Sequence, residues 1–220
     1  MNKIRIRYSK TGKARYISHL DLMSLLTRAL KRSGVRLAYS EGFNPHPYLS
    51  VALPLPVGCG SMCELADFGT EAQLLPDGLP ELINPALPEG VEIISAYMPQ
   101  RKFSDIKWIG LSGALCYDAG VTDEAIQCMT MLFTSENLIV PKKTKRGISD
   151  IDIIPYIRDV RVAKTGDTSA GIGVKVSAQD PTISGETLLS AMITGGRSHA
   201  PDFASFTRME LFGSNMLNFK

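Results

Sequence analysis

The chain has 220 residues, enough for one large domain or two small domains that each bury a core. Hydrophobic residues make up 44% and charged residues 21%, as in ordinary globular proteins, and no run of about eighteen apolar residues is present to span a membrane. Residues 1–7 lack the apolar segment of a secretory signal, so we expect a cytoplasmic protein.

The first predicted element is a strand over residues 3–7, where cations alternate with two isoleucines. Alternation places the isoleucines in a core and turns the cations to an open face, formed by Lys3, Arg5 and Arg7. Ser18 is predicted to begin a helix, with Asp21 in an approximate capping-box position and Gly34 as the stop.

The rest of the first half continues with strands and one weak helix over residues 79–86. The strands are predicted over residues 35–39, 48–53, 64–68 and 91–97. This order predicts a ferredoxin-like βαββαβ plan with an extra strand, in a domain over residues 1–98.

Residues 99–106 are polar and charged, so we place a boundary there and a second domain over residues 107–220. Thr122 and Ser184 are predicted to cap its two helices. Its strands are predicted over residues 110–117, 138–145, 148–154, 158–164, 172–178 and 206–212, the second and third forming a hairpin. The sequence therefore predicts an α+β protein of two ferredoxin-like halves with antiparallel sheets.

The segment SEGFNPHP at residues 40–47 has the most distinctive composition in the chain. Pro45 and Pro47 fix the backbone and push the residues before them into extended conformations. A stiff loop that presents polar and aromatic groups is typical of a functional site. The alternative is a rigid turn whose side chains cap neighbouring backbone groups.

Charge is segregated along the chain, although the formal net charge is only +2. Residues 1–50 contain ten Lys and Arg and two acids, whereas residues 51–100 contain seven acids and no Lys or Arg. A second basic run lies at residues 142–146. This segregation predicts either a surface that attracts polyanions, chiefly nucleic acid, or a fold in which the acidic segment neutralises the basic one.

Several motifs resemble the radical-SAM-associated family of unknown function: YSK at residues 8–10, ISHLD at 17–21, AYSEGFNPHP at 38–47 and ALPLPVG at 52–58. Residues 142–157 fit as well, so the resemblance covers essentially the whole chain. It implies a protein that acts beside a radical S-adenosylmethionine enzyme or as its fused tail, with genes near those for ribosomal proteins and an RNA-processing nuclease. This chain resembles the stand-alone partner.

Composition, charge and resemblance together predict an RNA-binding accessory protein that presents an RNA substrate to a radical S-adenosylmethionine enzyme. Tyr39 and Phe43 would stack on unpaired bases, while Glu41, Asn44 and His46 would contact them from the loop. The cations predicted to neutralise RNA phosphates are Lys3, Arg5, Arg7, Arg15, Lys142, Lys143, Lys145 and Arg146.

Two alternatives come from other classes of function. The first is a metal-independent RNA-processing or modifying enzyme, in which His19 and His46 act as general acid and base and Asp21 orients one of them. The second is a protein–protein adaptor for the radical enzyme that makes no RNA contact. We expect no metal and no cofactor, because Cys59 and Cys63 lack neighbouring ligands to complete a zinc or iron–sulfur site.

Overall fold

A computed structural model of the chain describes residues 2–144 and 147–219. The chain forms two compact units, of which the first ends at Asp105 and the second runs from Ile106 to Phe219. The described residues form mainly antiparallel sheet and four α-helices, so the predicted α+β class is confirmed. None of the described helices is long and apolar enough to cross a membrane.

The first unit has the order strand, helix, strand, strand, helix, strand. Its elements are β1 (Asn2–Lys10), α1 (His19–Arg32), β2 (Leu49–Val51), β3 (Gly60–Thr70), α2 (Leu79–Ile83) and β4 (Val91–Tyr97). The strands lie in the order β4-β1-β3-β2, and every neighbouring pair is antiparallel. β1 is therefore an interior strand, paired on both edges.

Local sequence signals account for α1. The Ser18 hydroxyl accepts a hydrogen bond from the backbone N–H of Asp21 at 3.2 Å and donates to the Asp21 carboxylate at 2.7 Å. Leu22, Leu26 and Leu30 form the buried stripe, and the helix ends before Gly34, whose φ of 77° lies in the left-handed region. The predicted start, core stripe and stop are confirmed.

The strand predicted over residues 35–39 is wrong, because this segment makes only isolated bridges, such as Leu37 to Thr70. β2 already pairs with β3 at Ala66–Phe68, so only the last residues of β3 are left for the 35–39 segment. The hydrogen bonds that link the two, from the Ala38 N–H to the Gly69 carbonyl and from the Glu71 N–H to the Arg36 carbonyl, lie at or beyond the last residues of β3.

The open cationic face predicted for the first strand is wrong at Arg5, whereas Lys3 is exposed as predicted. Arg5 is only 1% exposed, and its Nε and Nη2 donate to the two carboxylate oxygens of Asp67 at 2.6 and 3.0 Å. Its guanidinium also lies 4.4 Å from the centre of the Phe103 ring. Lys3 contributes a second ion pair to Asp67 at 3.0 Å. Arg5 is covered because Asp67 stands opposite it in the β1–β3 register and the Phe103 ring lies against its guanidinium.

The second unit contains a four-stranded sheet and a separate hairpin. Its elements are β5 (Trp108–Cys116), α3 (Asp123–Phe133), β6 (Ile139–Thr144), β7 (Gly147–Asp152), β8 (Ile157–Gly166), β9 (Ser169–Ser177), α4 (Gly185–Gly196) and β10 (Phe203–Phe212). The sheet order within this unit is β10-β5-β9-β8, and β6 pairs with β7. Thr122 and Ser184 cap α3 and α4 as predicted.

Gly90 and Gly34 form a matched pair for testing the first unit. Both have left-handed φ angles, 86° and 77°, but a Cβ on Gly90 would collide with the backbone carbonyl oxygen of Thr11, whereas a Cβ on Gly34 meets nothing within 4 Å. The Thr11 N–H also donates to the Gly90 carbonyl at 2.7 Å. We expect Gly34→Ala to lower the free energy of unfolding by about 1 kcal/mol and Gly90→Ala by about 3 kcal/mol. Urea denaturation measures both, and equal losses would contradict the close approach at Gly90.

Candidate nucleic-acid interface

Two cations of β1, Lys3 and Arg5, are paired with Asp67 in the first unit, whereas Arg7 is half-buried. Besides the Arg5 pair with Asp67, the buried Lys10 donates from its Nζ to the Ile17 carbonyl at 2.7 Å. Burial lowers the pKa of Lys10 from its ordinary value, and the charge of Glu64 opposes this change. The acidic segment thus neutralises Lys3 and Arg5 through Asp67, whereas the bond that Lys10 makes is to a neutral carbonyl.

Tyr97, on β4, is a further polar neighbour of the Arg5–Asp67 pair, since it stands opposite Arg5 in the β1–β4 register. Burial raises the pKa of the Tyr97 phenol above its ordinary value, while the charges of Arg5 and Arg7 act in the opposite direction. Since the phenol stays neutral and the arginine is ion-paired, this cluster serves the packing of the sheet and offers little charge to a polyanion.

The N-terminal end of α1 carries a second group of predicted site residues. Arg15 lies in a 3-10 turn (Gly12–Tyr16), donates from its Nε to the Gly58 carbonyl, and accepts from the Gly58 N–H at 2.9 Å. Tyr16 beside it is 66% exposed. His19 is the first residue of α1, two residues beyond Ile17. Because Lys10 reaches Ile17 and pairs opposite Ser61, this end of α1 lies near the start of β3.

The loop at residues 40–47 is closed at its base by Ser40 and His46. The Ser40 N–H donates to the His46 carbonyl at 2.9 Å, and the Ser40 hydroxyl accepts from the His46 N–H at 3.1 Å. The same hydroxyl lies 2.9 Å from His46 Nδ1. Phe43, at the far side of the closed loop, is fully exposed. Hydrogen bonds between Ser40 and His46 thus close the loop, and the loop holds the aromatic ring of Phe43 in solvent.

The structure does not bring His19 and His46 together. The loop base lies at the far end of β3, where the Gly69 N–H donates to the Tyr48 carbonyl at 2.8 Å. A strand rises about 3.3 Å per residue, so the step from Ser61 to Gly69 spans about 25 Å and the two histidines lie on the order of 20 Å apart. They therefore cannot flank one phosphodiester, as the two-histidine enzyme requires.

Asp21 also differs from its predicted role. Within the described part of the chain, its carboxylate bonds to the Ser18 hydroxyl and to neither histidine. His46 takes Ser40 as its side-chain partner instead. The described residues include no group of three or more His, Cys, Asp or Glu side chains placed to hold a metal ion.

A group of exposed cations lies where α1 ends beside the loop. Lys31, in the last turn of α1, places its Nζ 5.1 Å from the centre of the Tyr39 ring, and Tyr39 bridges to Pro47 at the loop base. Across the described ranges, none of these cations forms an ion pair. We call the exposed residues at this end the loop-end surface; it comprises Arg28, Lys31, Arg32, Arg36, Glu41, Phe43, Asn44, His46 and Tyr48.

Sequence reasoning missed the four cations of this surface, although their spacing could have identified them. Arg28, Lys31 and Arg32 lie three and four residues apart, opposite the leucine stripe of α1, which indicates a solvated face. In the predicted basic hairpin, Lys142 and Lys143 lie in β6, whereas Lys145 and Arg146 fall outside the described residues.

One comparison with known proteins gives a match. Residues 3–187 match a family described as "uncharacterized protein conserved in bacteria (DUF2344)", a description that assigns no activity. No curated protein matches the chain. The match covers the first unit, with its loop-end surface, and most of the second unit.

Proposed function

The chain belongs to the DUF2344 family, and we propose that this member binds single-stranded RNA and presents it to a radical S-adenosylmethionine enzyme. The observation that carries the proposal is the loop-end surface, which combines four exposed cations without ion pairs among the described residues with a fully exposed Phe43. Cations attract the phosphate backbone, and an exposed ring stacks on an unpaired base. The resemblance of the sequence motifs to the radical-SAM-associated family supports the choice of partner.

The loop-end surface favours an unpaired strand over a duplex. Phe43 has both ring faces in solvent, and stacking of this kind requires a base that is free of its own neighbours. Asn44 and Glu41 lie next to that ring and supply a mixed donor and acceptor set for base edges. The surface contains one acid, Glu41, and Glu71 lies beside it, since its N–H donates to the Arg36 carbonyl at 3.1 Å; two acids against four cations leave a positive balance.

The residues in the proposed site differ from those expected from sequence. Arg5 is excluded because it is buried against Asp67, and Lys3 is engaged with the same carboxylate. Arg15 lies at the opposite end of α1. The residues retained from the sequence prediction are Glu41, Phe43, Asn44 and His46, whereas Tyr39 is half-buried beside Lys31.

We also propose that each unit is a ferredoxin-like module. The support in the first unit is its strand–helix–strand–strand–helix–strand order and its β4-β1-β3-β2 sheet. The second unit has the corresponding sheet order β10-β5-β9-β8, with the β6–β7 hairpin inserted between α3 and β8. Such sheets leave the loops at the strand ends free to carry a binding site.

A second candidate function is a protein–protein adaptor, and the exposed Phe43 favours it specifically. An aromatic side chain held in solvent on a closed loop also fits an apolar pocket of a partner protein. The two functions differ in salt dependence, because an apolar anchor is insensitive to salt whereas phosphate contacts are weakened by it.

The test is fluorescence anisotropy with an unstructured RNA oligonucleotide between 50 and 200 mM salt. With four phosphate contacts, we expect the logarithm of the association constant to fall with the logarithm of salt concentration with a slope of about −3.

Phe43→Ala should weaken binding about tenfold at every salt concentration, since stacking contributes about 1–3 kcal/mol per base. Tyr16→Ala, an exposed aromatic at the other end of α1, is the matched control and should bind as wild type. Absence of binding at 50 mM salt would overturn the RNA proposal and favour the adaptor.

A further inference from the structure

A groove that shares Arg28 and Arg32 with the loop-end surface has the features of a ligand site. It lies between α1 and the 85–88 segment that follows α2, and its volume is about 570 Å³. Its lining combines Leu25 and the Pro85–Pro88 segment with two guanidinium groups, those of Arg28 and Arg32. No carboxylate is part of the lining. The volume is within the range of about 300–1,000 Å³ that small-molecule sites occupy.

The two arginines of the groove retain most of their hydrogen-bonding capacity. They are four residues apart on α1, so their side chains project from the same face of the helix. Arg28 donates from its Nε to the Ser24 carbonyl at 3.3 Å, which leaves both of its terminal amino groups for a ligand. The Arg32 side chain forms no ion pair with any other described residue. Glu81 and Glu89 flank the groove in sequence, and neither forms an ion pair with the arginines.

We propose that this groove binds the phosphate monoester at the end of an RNA strand, an inference that rests on the RNA-binding function proposed above. A terminal phosphate carries about two negative charges at neutral pH, whereas an internal phosphodiester carries one. Two guanidinium groups on one helix face match the monoester in charge and in their paired donor geometry. The apolar wall of Leu25, Leu87 and the prolines provides a surface for the terminal nucleoside.

The experiment compares three oligonucleotides of one unstructured sequence: with a 5′-phosphate, with a 3′-phosphate, and with hydroxyl groups at both ends. For the wild-type protein, we expect one phosphorylated form to bind about tenfold more tightly than the hydroxyl form, as hydrogen bonds between charged groups imply. In the Arg28→Gln/Arg32→Gln variant, the affinity for that phosphorylated form and the affinity for the hydroxyl form should agree within about twofold. Arg36→Gln removes an exposed cation outside the groove lining. It should weaken the binding of all three oligonucleotides and preserve the ratio of affinities between the phosphorylated and hydroxyl forms.

The outcomes separate this inference from the function on which it rests. If wild type binds the three oligonucleotides equally, the groove assignment is overturned and the RNA proposal stands. If Arg36→Gln abolishes the preference for the phosphorylated form as the double variant does, that preference reflects the total charge of the protein, and the groove assignment is again overturned. If no oligonucleotide binds, the RNA proposal fails, and calorimetry with a nucleoside monophosphate then tests the groove alone. Binding that is abolished in the double variant supports the groove, and no binding overturns it.

Discussion

Asp67→Ala is expected to lower the free energy of unfolding by about 3–5 kcal/mol, because it removes one partner of a buried ion pair. Asp67 is 2% exposed and receives two hydrogen bonds from Arg5, which is 1% exposed. Without the carboxylate, the guanidinium charge stays in a poorly solvated site on an interior strand. Urea denaturation followed by circular dichroism measures the change.

Two further variants separate the buried pair from the rest of the cluster. Lys3 also contacts Asp67, but its side chain is half exposed, so Lys3→Gln should cost less than about 1 kcal/mol. Arg5→Met/Asp67→Ala removes both charges and should recover part of the loss, since an apolar pair avoids the desolvation cost. A single Asp67→Ala variant that unfolds within about 1 kcal/mol of wild type would show that Arg5 does not depend on this carboxylate.

The second large effect is expected from Lys31→Gln/Arg32→Gln/Arg36→Gln in RNA binding. This triple variant removes three of the four cations of the loop-end surface, all of them exposed and none of them in an ion pair. We expect affinity at 50 mM salt to fall about 30-fold and the magnitude of the salt slope to fall by about 2. Anisotropy across the salt series measures both quantities.

The matched control removes three exposed cations from outside the loop-end surface, as Lys13→Gln/Lys107→Gln/Arg161→Gln. Its net charge changes by the same amount, so a long-range effect of total charge would appear in both variants. We expect this control to keep the salt slope of wild type. Equal losses of slope in the two triple variants would mean that RNA binds through diffuse charge rather than through the loop-end surface.

The helices could be predicted because their signals are local. Ser18, Thr122 and Ser184 each cap a helix through a hydrogen bond that spans three residues, and such bonds depend little on the rest of the fold. Gly34 ends α1 for an equally local reason, its left-handed φ. The positions of strands could also be predicted where a strand pairs with a neighbouring strand along its whole length.

The environment of Arg5 could not be predicted, because alternation in a strand separates two faces without showing what covers either one. Arg5 is buried by Asp67, sixty-two residues away in sequence, and by Phe103 from the segment after β4. The first contact depends on the register of β1 with β3, and the second on the path of the chain after β4. The prediction of an open face assumed that solvent covers the cationic side of the strand, whereas Asp67 and Phe103 cover it at Arg5.

Some features of the candidate site could likewise be predicted from local sequence, and others depend on residues that are distant in the chain. The unusual composition of residues 40–47 identified the loop, and its closure through Ser40 and His46 is a local contact. The separation of His19 from His46 depends on the direction of α1 relative to β3, which no motif encodes. The loop-end cations belong to a helix end and a loop that meet only in the folded unit.

The most direct test of the central claim is ultraviolet crosslinking of the wild-type protein to an unstructured RNA, with the adducts mapped by mass spectrometry. Direct contact through the loop-end surface predicts adducts within residues 28–48, with Phe43 and Tyr48 as the main sites because exposed aromatic rings stack on bases. Adducts confined to residues 13–21 or to the β6–β7 hairpin would contradict the claim, as would the absence of adducts at salt concentrations where RNA binds.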